Sequence, residues 1–343
     1  MKSQVLLCGT QYGQVYLPAI FESKEFELAA LLSKGSAQSK RIAQQCGVSL
    51  YNTVGDIDEQ IDLAVVAIGG QAGTQITNDL LKRRVPVLIE HPIDIANIDT
   101  LISTANSHNT YCHTNSHFSH IAPIADFIRL SEELNNVSRA HIISVNCNSR
   151  TLFSTLDILM RAFGVFNVSN FEAQPIANTS YQQISFLVQG IPCNIVYQRW
   201  RATEDNSKDS PLGHQITVTY PEGVLSLGGT FGPCLWFPLM AAEIPSQVPL
   251  FSTLQQSNNG VPTQTDIIRW RKIANHKSML DLWNAKCNAN PVEHQTFEFL
   301  TSLCKSWSLL FHKFSVEVKS YAPQAINKRF WTASSIVARS SDS

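Results

Sequence analysis

Val85-Pro86-Val87-Leu88-Ile89-Glu90-His91-Pro92 reads as a short buried strand that stops at an ionisable triplet. An apolar, β-branched run of this length between breakers suits the centre of a parallel sheet covered on both faces. In open α/β sheets, ligands sit beyond the carboxyl ends of the strands. Glu90 and His91 stand at such an end, which makes them the first candidates for a functional site.

Upstream, an apolar strand at Val5-Leu6-Leu7-Cys8 enters Gly9-Thr10-Gln11-Tyr12-Gly13 and then a helical segment over residues 14–21. Strand, glycine turn and helix form the setting of a dinucleotide site: the turn admits a pyrophosphate, and the helix start offers N–H groups. The turn departs from G-x-G-x-x-G, with Gln11 and Gln14 at two glycine positions and a glycine at 13. Taken alone it fits a structural strand–helix turn as well. A second strand, Leu28-Ala29-Ala30-Leu31-Leu32, ends where an acidic residue selects NAD. Here Ser33, Lys34, Gly35, Ser36 and Ser39 follow, with Lys40 and Arg41 and no carboxylate. Hydroxyl and cationic donors suit a 2′-phosphate, which favours NADP over NAD; the alternative is an ordinary solvated loop. Gly69-Gly70, closing a strand over residues 62–68, would let backbone approach the same cofactor, or would simply make a tight turn.

Strands and helices alternate through residue 92: helices over 39–45, capped by Gly47, and over 74–83. A helix over 95–107 and a strand over 110–114 follow. This order predicts a doubly wound parallel sheet of Rossmann type. After a helix over 121–133 the pattern turns β-rich, at 140–145, 182–188, 194–200, 214–220 and 224–227, with turn signals such as Pro221-Glu222-Gly223. A helix over 152–163 ends near Gly164. The fold class is therefore α/β: a Rossmann domain over 1–120, then an α+β domain over 121–333 with a large, mostly antiparallel open sheet. Residues 202–211 read as an exposed loop and 245–264 as a mobile loop or lid. A helical region is expected from about 281 to 313, and residues 334–343 read as a disordered tail.

The 343 residues are 44% hydrophobic, with 26 basic and 27 acidic residues. That balance argues against a dedicated nucleic-acid or anionic-membrane binder. The eight cysteines are scattered without C-x-x-C spacing and the chain carries no secretory signal, so a cytoplasmic protein with free thiols is expected. No metal-ligand spacing is found, and no apolar run approaches the ~20 residues of a bilayer span.

Two halves of this kind, joined to a strand ending in Glu-x-Pro, resemble the Gfo/Idh/MocA oxidoreductases. The superfamily carries Glu-Lys-Pro, whose lysine serves sugar and polyol oxidation; this chain has Glu90-His91-Pro92. Where that superfamily places a histidine on a helix of the second domain, this chain has Ser154, within Ser154-Thr155-Leu156-Asp157. A narrower resemblance joins these departures. Gly9-Thr10-Gln11-Tyr12-Gly13, Tyr16-Leu17, the run from Leu31 to Ser39, Glu90-His91-Pro92, Ser154-Thr155-Leu156-Asp157 and Phe231-Gly232-Pro233-Cys234-Leu235-Trp236 are similar to the thiazolinyl imine reductases of siderophore biosynthesis.

That resemblance implies NADPH-dependent reduction of a thiazoline to a thiazolidine. The substrate would hang on the phosphopantetheine arm of a nonribosomal peptide synthetase carrier domain. It also implies a homodimer formed through the open sheet face, and a cis bond before Pro92. A tyrosine of that group, a proton-donor candidate, corresponds to Phe118 here.

Reducing C=N needs hydride at carbon and a proton at nitrogen, and histidine titrates near neutrality. His91 is the leading proton donor, with Glu90 positioning backbone or cofactor. His117 is a second candidate, although in an extended segment its side chain would oppose that of Phe118. Phe118, Ser154 and Trp236 are expected on the substrate side, with Phe231 and Phe237 completing an aromatic wall; as aromatics in a β-rich domain they fit a core equally. A sugar or polyol dehydrogenase and a non-catalytic NADP-binding regulator remain the competing functions.

Overall fold

The computed structural model describes residues 2–177, 179, 181–198, 213–239, 251–253, 262–289 and 292–313. Its first sheet contains β1 (Ser3–Cys8), β2 (Phe26–Leu32), β3 (Ser49–Tyr51), β4 (Leu63–Val66), β5 (Val87–Ile89) and β6 (Cys112–Thr114). The order is β3-β2-β1-β4-β5-β6, with every pair parallel. The chain winds outward in both directions from β1 and β4, so a crevice opens at their carboxyl ends.

Alternate residues of the central strands enter different cores. Leu6, Cys8, Ala64, Val66, Val87 and Ile89 face one, and Val5, Leu7, Leu63, Val65 and Leu88 face the other. Two-sided burial explains why the 85–89 run shows no polar alternation. Each such Val, Leu or Ile side chain contributes roughly 1.5–3 kcal/mol.

The connecting helices are α1 (Leu17–Phe21), α2 (Ala37–Cys46), α3 (Gly70–Lys82) and α4 (Ile95–Ser107). Ser36 caps α2 by accepting from the Ser39 N–H at 3.2 Å, and Asp94 caps α4 through the Ala96 N–H at 3.0 Å. α2 ends at Gly47, as the sequence indicates. The helix expected over 14–21 is instead a 3-10 turn at 13–16 followed by α1.

The second sheet contains β7 (Ile142–Asn148), β8 (Glu172–Pro175), β9 (Tyr181–Val188), β10 (Ile191–Gln198), β11 (Gln215–Tyr220), β12 (Gly223–Leu227) and β13 (Cys234–Pro238). Its order is β13-β12-β11-β7-β10-β9-β8. Only β7 with β10 is parallel; the remaining pairs are antiparallel. α5 (Ala122–Val137) and α6 (Leu152–Phe163) pack against it. On β9, Ile184, Phe186 and Val188 are buried while Leu187 is exposed, so the opposite face is open. β8 and β13 extend the sheet beyond the five segments read from alternation. β8 is exposed along its whole length and therefore carries no apolar pattern.

The C-terminal region departs from expectation. Instead of one helical stretch from about 281, there are two helices, α7 (Gln264–Asn288) and α8 (Phe297–Lys313), with a 3-10 turn at 293–295 between them. α7 starts on a capping box: Thr263 accepts from the Asp266 N–H, and the Asp266 carboxylate accepts from the Thr263 N–H at 2.9 Å. It then returns to the first sheet, where Met279 and Leu282 are fully buried beside Val5 and Leu63. Asn275 Nδ2 donates to the Val15 carbonyl at 3.1 Å, and Lys286 Nζ to the Asp62 carbonyl at 3.0 Å. α8 packs on α4 and α6.

The loop expected at 202–211, most of that at 245–264, Trp200 and the tail at 334–343 lie outside the described residues. Among the described residues, no helix is long and apolar enough to cross a membrane.

Candidate active site

The parallel sheet brings Gly9, Ser33, Gly69, Glu90 and Asn115 to one edge, because each follows the carboxyl end of a strand. Gly9 adopts φ +91°, and a Cβ there would lie 2.8 Å from the Ala67 carbonyl oxygen, so the turn after β1 requires glycine. In place of the fingerprint's third glycine, Gln14 donates through Nε2 to the Thr10 carbonyl at 2.8 Å and closes the turn. Gln11 and Tyr12 are exposed, whereas Gly13 is buried beneath them. Thr10 Oγ1 lies 2.7 Å from Ser39 Oγ, which lies 2.8 Å from Ser36 Oγ. Hydroxyls thus tie the first turn to the loop after β2, where Ser33, Lys34 and Gly35 sit partly or fully exposed. A Cβ at Gly69 or Gly70 would meet nothing within 4 Å. Backbone lined by glycine and facing open space at these strand ends fits a dinucleotide.

Glu90 lies at the centre of a buried polar network. The Tyr16 hydroxyl and Asn115 Nδ2 both donate to Glu90 Oε1, the latter at 2.8 Å. Asn115 Oδ1 accepts the His117 N–H at 3.1 Å, which fixes the orientation of the amide. Its Nδ2 also lies 2.6 Å from the Tyr16 hydroxyl and 2.9 Å from His117 Nδ1. Two N–H bonds cannot serve three acceptors in full, so the network has one donor too few. Burial raises the Glu90 pKa, while the neighbouring His91 and the Tyr16 and Asn115 donors act against that rise. Burial, followed by the Glu90 charge, holds the Tyr16 hydroxyl well above its ordinary value, so it remains a donor.

His91 lies 3.0 Å through Nδ1 from the Asn115 carbonyl. A carbonyl only accepts, so Nδ1 carries the hydrogen and Nε2 is the atom left to exchange a proton. The ring stacks on Phe153 with centroids 5.1 Å apart and planes at 22°, and meets Phe118 edge-on at 6.0 Å. Glu90 Oε2 lies 3.9 Å from His91 Nδ1. The His91–Pro92 bond is cis.

His117 and Phe118 correct one expectation. They lie in a 3-10 turn at 117–120, not in an extended segment, and their rings are 4.0 Å apart. A helical turn does not alternate faces, so both reach the same cluster. His117 is buried, and burial above all, with the Arg271 cation and the neighbouring His91 and His214 rings adding to it, pushes its pKa well below the ordinary histidine value. It is neutral, with Nδ1 facing the Asn115 amide.

Phe118 also lies 4.7 Å from the ring of His214, a residue the sequence did not mark. His214 Nε2 is 2.7 Å from Ser154 Oγ, and Nδ1 is 2.9 Å from Thr230 Oγ1. Ser154 donates to the Thr151 carbonyl at 3.1 Å, so it accepts from Nε2–H, and Thr230 supplies the hydrogen at Nδ1. Burial lowers the His214 pKa to about 3, which keeps the ring neutral. Asp157, on the same helix as Ser154, pairs with Arg161 at 3.0 Å.

Residues 3–116 match the model of an oxidoreductase family with an NAD-binding Rossmann fold, GFO_IDH_MocA. Residues 138–237 match the C-terminal model of the Irp3-like thiazolinyl imine reductases. The chain is a Gfo/Idh/MocA oxidoreductase of the Irp3-like kind. No curated protein matches it. Among solved structures, a dehydrogenase from Chromobacterium violaceum is 11% identical with a TM-score of 0.71, covering 92% of this chain and 95% of that one. An oxidoreductase from Agrobacterium radiobacter, in complex with NAD+, L-tartaric acid and magnesium, is 12% identical with a TM-score of 0.67, covering 89% and 94%. A putative myo-inositol dehydrogenase from Sinorhizobium meliloti is 12% identical with a TM-score of 0.65, covering 89% and 95%. At such identities the likeness is one of fold.

Within this Gfo/Idh/MocA oxidoreductase, His91, Glu90, His117 and Phe118 form one cluster, and Ser154 joins it through His214. The aromatic residues near β13 do not form a common wall. The Trp236 ring packs edge-on to Tyr220 at 6.4 Å, while Phe237 meets Phe251 at 5.8 Å. Successive residues of a strand point to opposite faces, which separates the two rings. Phe231 instead lies under Arg271. Sequence reading overlooked Tyr16 and His214 as site residues. Asn115 carried no signal there either. Their partners lie 74, 60 and 25 residues away, at distances that no local pattern reports.

Proposed function

We propose that this oxidoreductase reduces the C=N bond of a thiazoline to a thiazolidine with NADPH, on a siderophore intermediate tethered to a carrier domain. The match of residues 138–237 to the Irp3-like C-terminal model carries the reading. The cluster supports it. A sugar oxidation would use the lysine and the helix histidine of the superfamily motif, and here those positions hold His91 and Ser154.

Bound NADPH would supply hydride to the ring carbon. The chain's part is to hold the substrate and deliver a proton to the ring nitrogen. His91 is placed for that delivery: Nδ1 is held by the Asn115 carbonyl, Phe153 and Phe118 fix the ring plane, and Nε2 is the atom left to pass a proton. His117, neutral and buried, acts with Asn115 as a positioning residue. Phe118 has no hydroxyl, so it contributes an apolar surface. Ser33, Lys34 and Ser36 would receive the 2′-phosphate of NADPH, since the run from residue 33 to 41 contains no carboxylate to repel it. A homodimer through the open face of the second sheet, where Leu187 is 59% exposed, accompanies this reading; sedimentation measures it.

The deciding experiment follows NADPH oxidation with a thiazoline-carboxylate mimic beside myo-inositol and glucose. Turnover of the thiazoline alone supports the proposal. Turnover of a sugar without thiazoline activity overturns it, and binding of NADPH with no turnover of any of the three identifies a non-catalytic binder.

A further inference from the structure

Three cations stand close together on α7. Arg269 pairs with Asp266 at 3.5 Å, and Lys272 pairs with Glu22. Arg271 pairs with no carboxylate among the described residues; its guanidinium carbon lies 4.9 Å above the centre of the Phe231 ring. Phe231 belongs to the turn entering β13, in the second half, whereas α7 is anchored on the first. The anchor is Asn275, whose bond to the Val15 carbonyl holds the helix against the cofactor turn. Residues four apart share a helix face and are separated by about 6 Å along the axis. Arg271 therefore lies on the same face one turn back. α7 packs against both the turn at 13–16, which follows Tyr12, and the turn at 117–120, which holds His117; the Arg271 cation accordingly bears on the titration of Tyr12 and His117.

These two neighbours bracket a definite path. The adenosine end of a dinucleotide belongs at the loop after β2, and its reacting ring must reach His91. The phosphate nearer that ring has to pass between the turn carrying Tyr12 and the cluster containing His117. We propose that Arg271 is a phosphate clamp, closing over the nicotinamide-side phosphate of the bound dinucleotide. A guanidinium suits this role, because it is planar, offers paired donors to phosphate oxygens and stacks on an aromatic face. Phe231 supplies the shelf, and the lack of a carboxylate partner leaves the charge for the ligand. The clamp rests on the dinucleotide-binding fold and does not depend on the identity of the substrate.

The test is a calorimetric titration of the wild type, Arg271→Met and Arg271→Lys with NADPH and with adenosine 2′,5′-bisphosphate, which lacks the nicotinamide-side phosphate. Arg271→Met should raise the Kd for NADPH about tenfold or more and leave that for the bisphosphate unchanged. Arg271→Lys, which keeps the charge without the fork, should fall between. An unchanged Kd for NADPH overturns the clamp. Equal losses for both ligands also overturn it, since they report long-range attraction. Melting without ligand confirms that Met, which preserves the stem over Phe231, folds; if it does not, Arg271→Lys decides by the same ratio.

Discussion

His91 and Asn115 follow neighbouring strands, and the 3.0 Å bond from the imidazole Nδ1 to the Asn115 carbonyl determines which ring nitrogen can exchange a proton. The bond comes from the main chain after β6, so no side-chain substitution at 115 removes the acceptor. The imidazole can be replaced by an amide that keeps one of its two functions.

His91→Asn should do this. Its amide nitrogen reaches where Nδ1 stands and retains the donor to Asn115, but nothing replaces Nε2. Single-turnover reduction of a thiazoline mimic should slow on the order of a hundredfold or more, the range lost with a general acid. The Kd for NADPH, measured by fluorescence, should stay within about twofold.

Ser33→Asp places a carboxylate at the end of β2. It should repel a 2′-phosphate and accept a ribose hydroxyl, shifting kcat/KM from NADPH toward NADH by about tenfold or more. Steady-state kinetics with both cofactors measure the ratio. A wild type already indifferent to the 2′-phosphate would refute the assignment of this loop.

Gly73 stands in the first turns of α3, where a Cβ would lie 1.8 Å from the Ile68 carbonyl oxygen and 2.8 Å from its carbon. Both atoms are backbone and cannot rotate away. Gly73→Ala should cost about 3 kcal/mol or more in urea denaturation. Gly55→Ala, whose Cβ would meet only Thr53 Oγ1 at 3.7 Å, should have a small effect.

Buried neutral histidines make the fold sensitive to acid. Burial lowers the pKa of His113 to about 4, against an opposing pull from Asp281, and that of His214 to about 3. Below an unfolded value of about 6.5 the unfolded chain binds protons that the folded chain does not. Their contribution is therefore complete above that pH and declines as pH falls toward 4. The Tm should drop between pH 7 and 5, and His113→Phe should make the decline shallower.

The strands over 5–8, 28–32, 62–68 and 85–89 were legible because a buried parallel sheet leaves apolar runs, and Glu90-His91 could be marked as a candidate site from its place at a strand end; β3, three partly exposed residues, left no such run. Gly9 and Gly47 likewise announce a turn and a helix end through local chemistry. α7 was not legible in the same way. Its apolar residues serve both halves and leave no single stripe, although Thr263 and Asp266 carried a capping signal. The mutual placement of Tyr16, Glu90, Asn115 and His117 depends on strand register across distant segments. The turn at 117–120 also defeats any argument from alternation. His214 was hidden by occupying a strand edge, with its meaning supplied only by Ser154 and Thr230.

Met279 and Leu282 on α7 cover the face of the first sheet that displays Val5, Leu7, Leu63 and Val65. During synthesis these four side chains leave the ribosome more than two hundred residues before their cover does. The nucleotide-binding half therefore cannot complete its folding vectorially. It must wait, with one apolar face incomplete, until residues 264–288 have been made. The segment translated first is among the last to be finished.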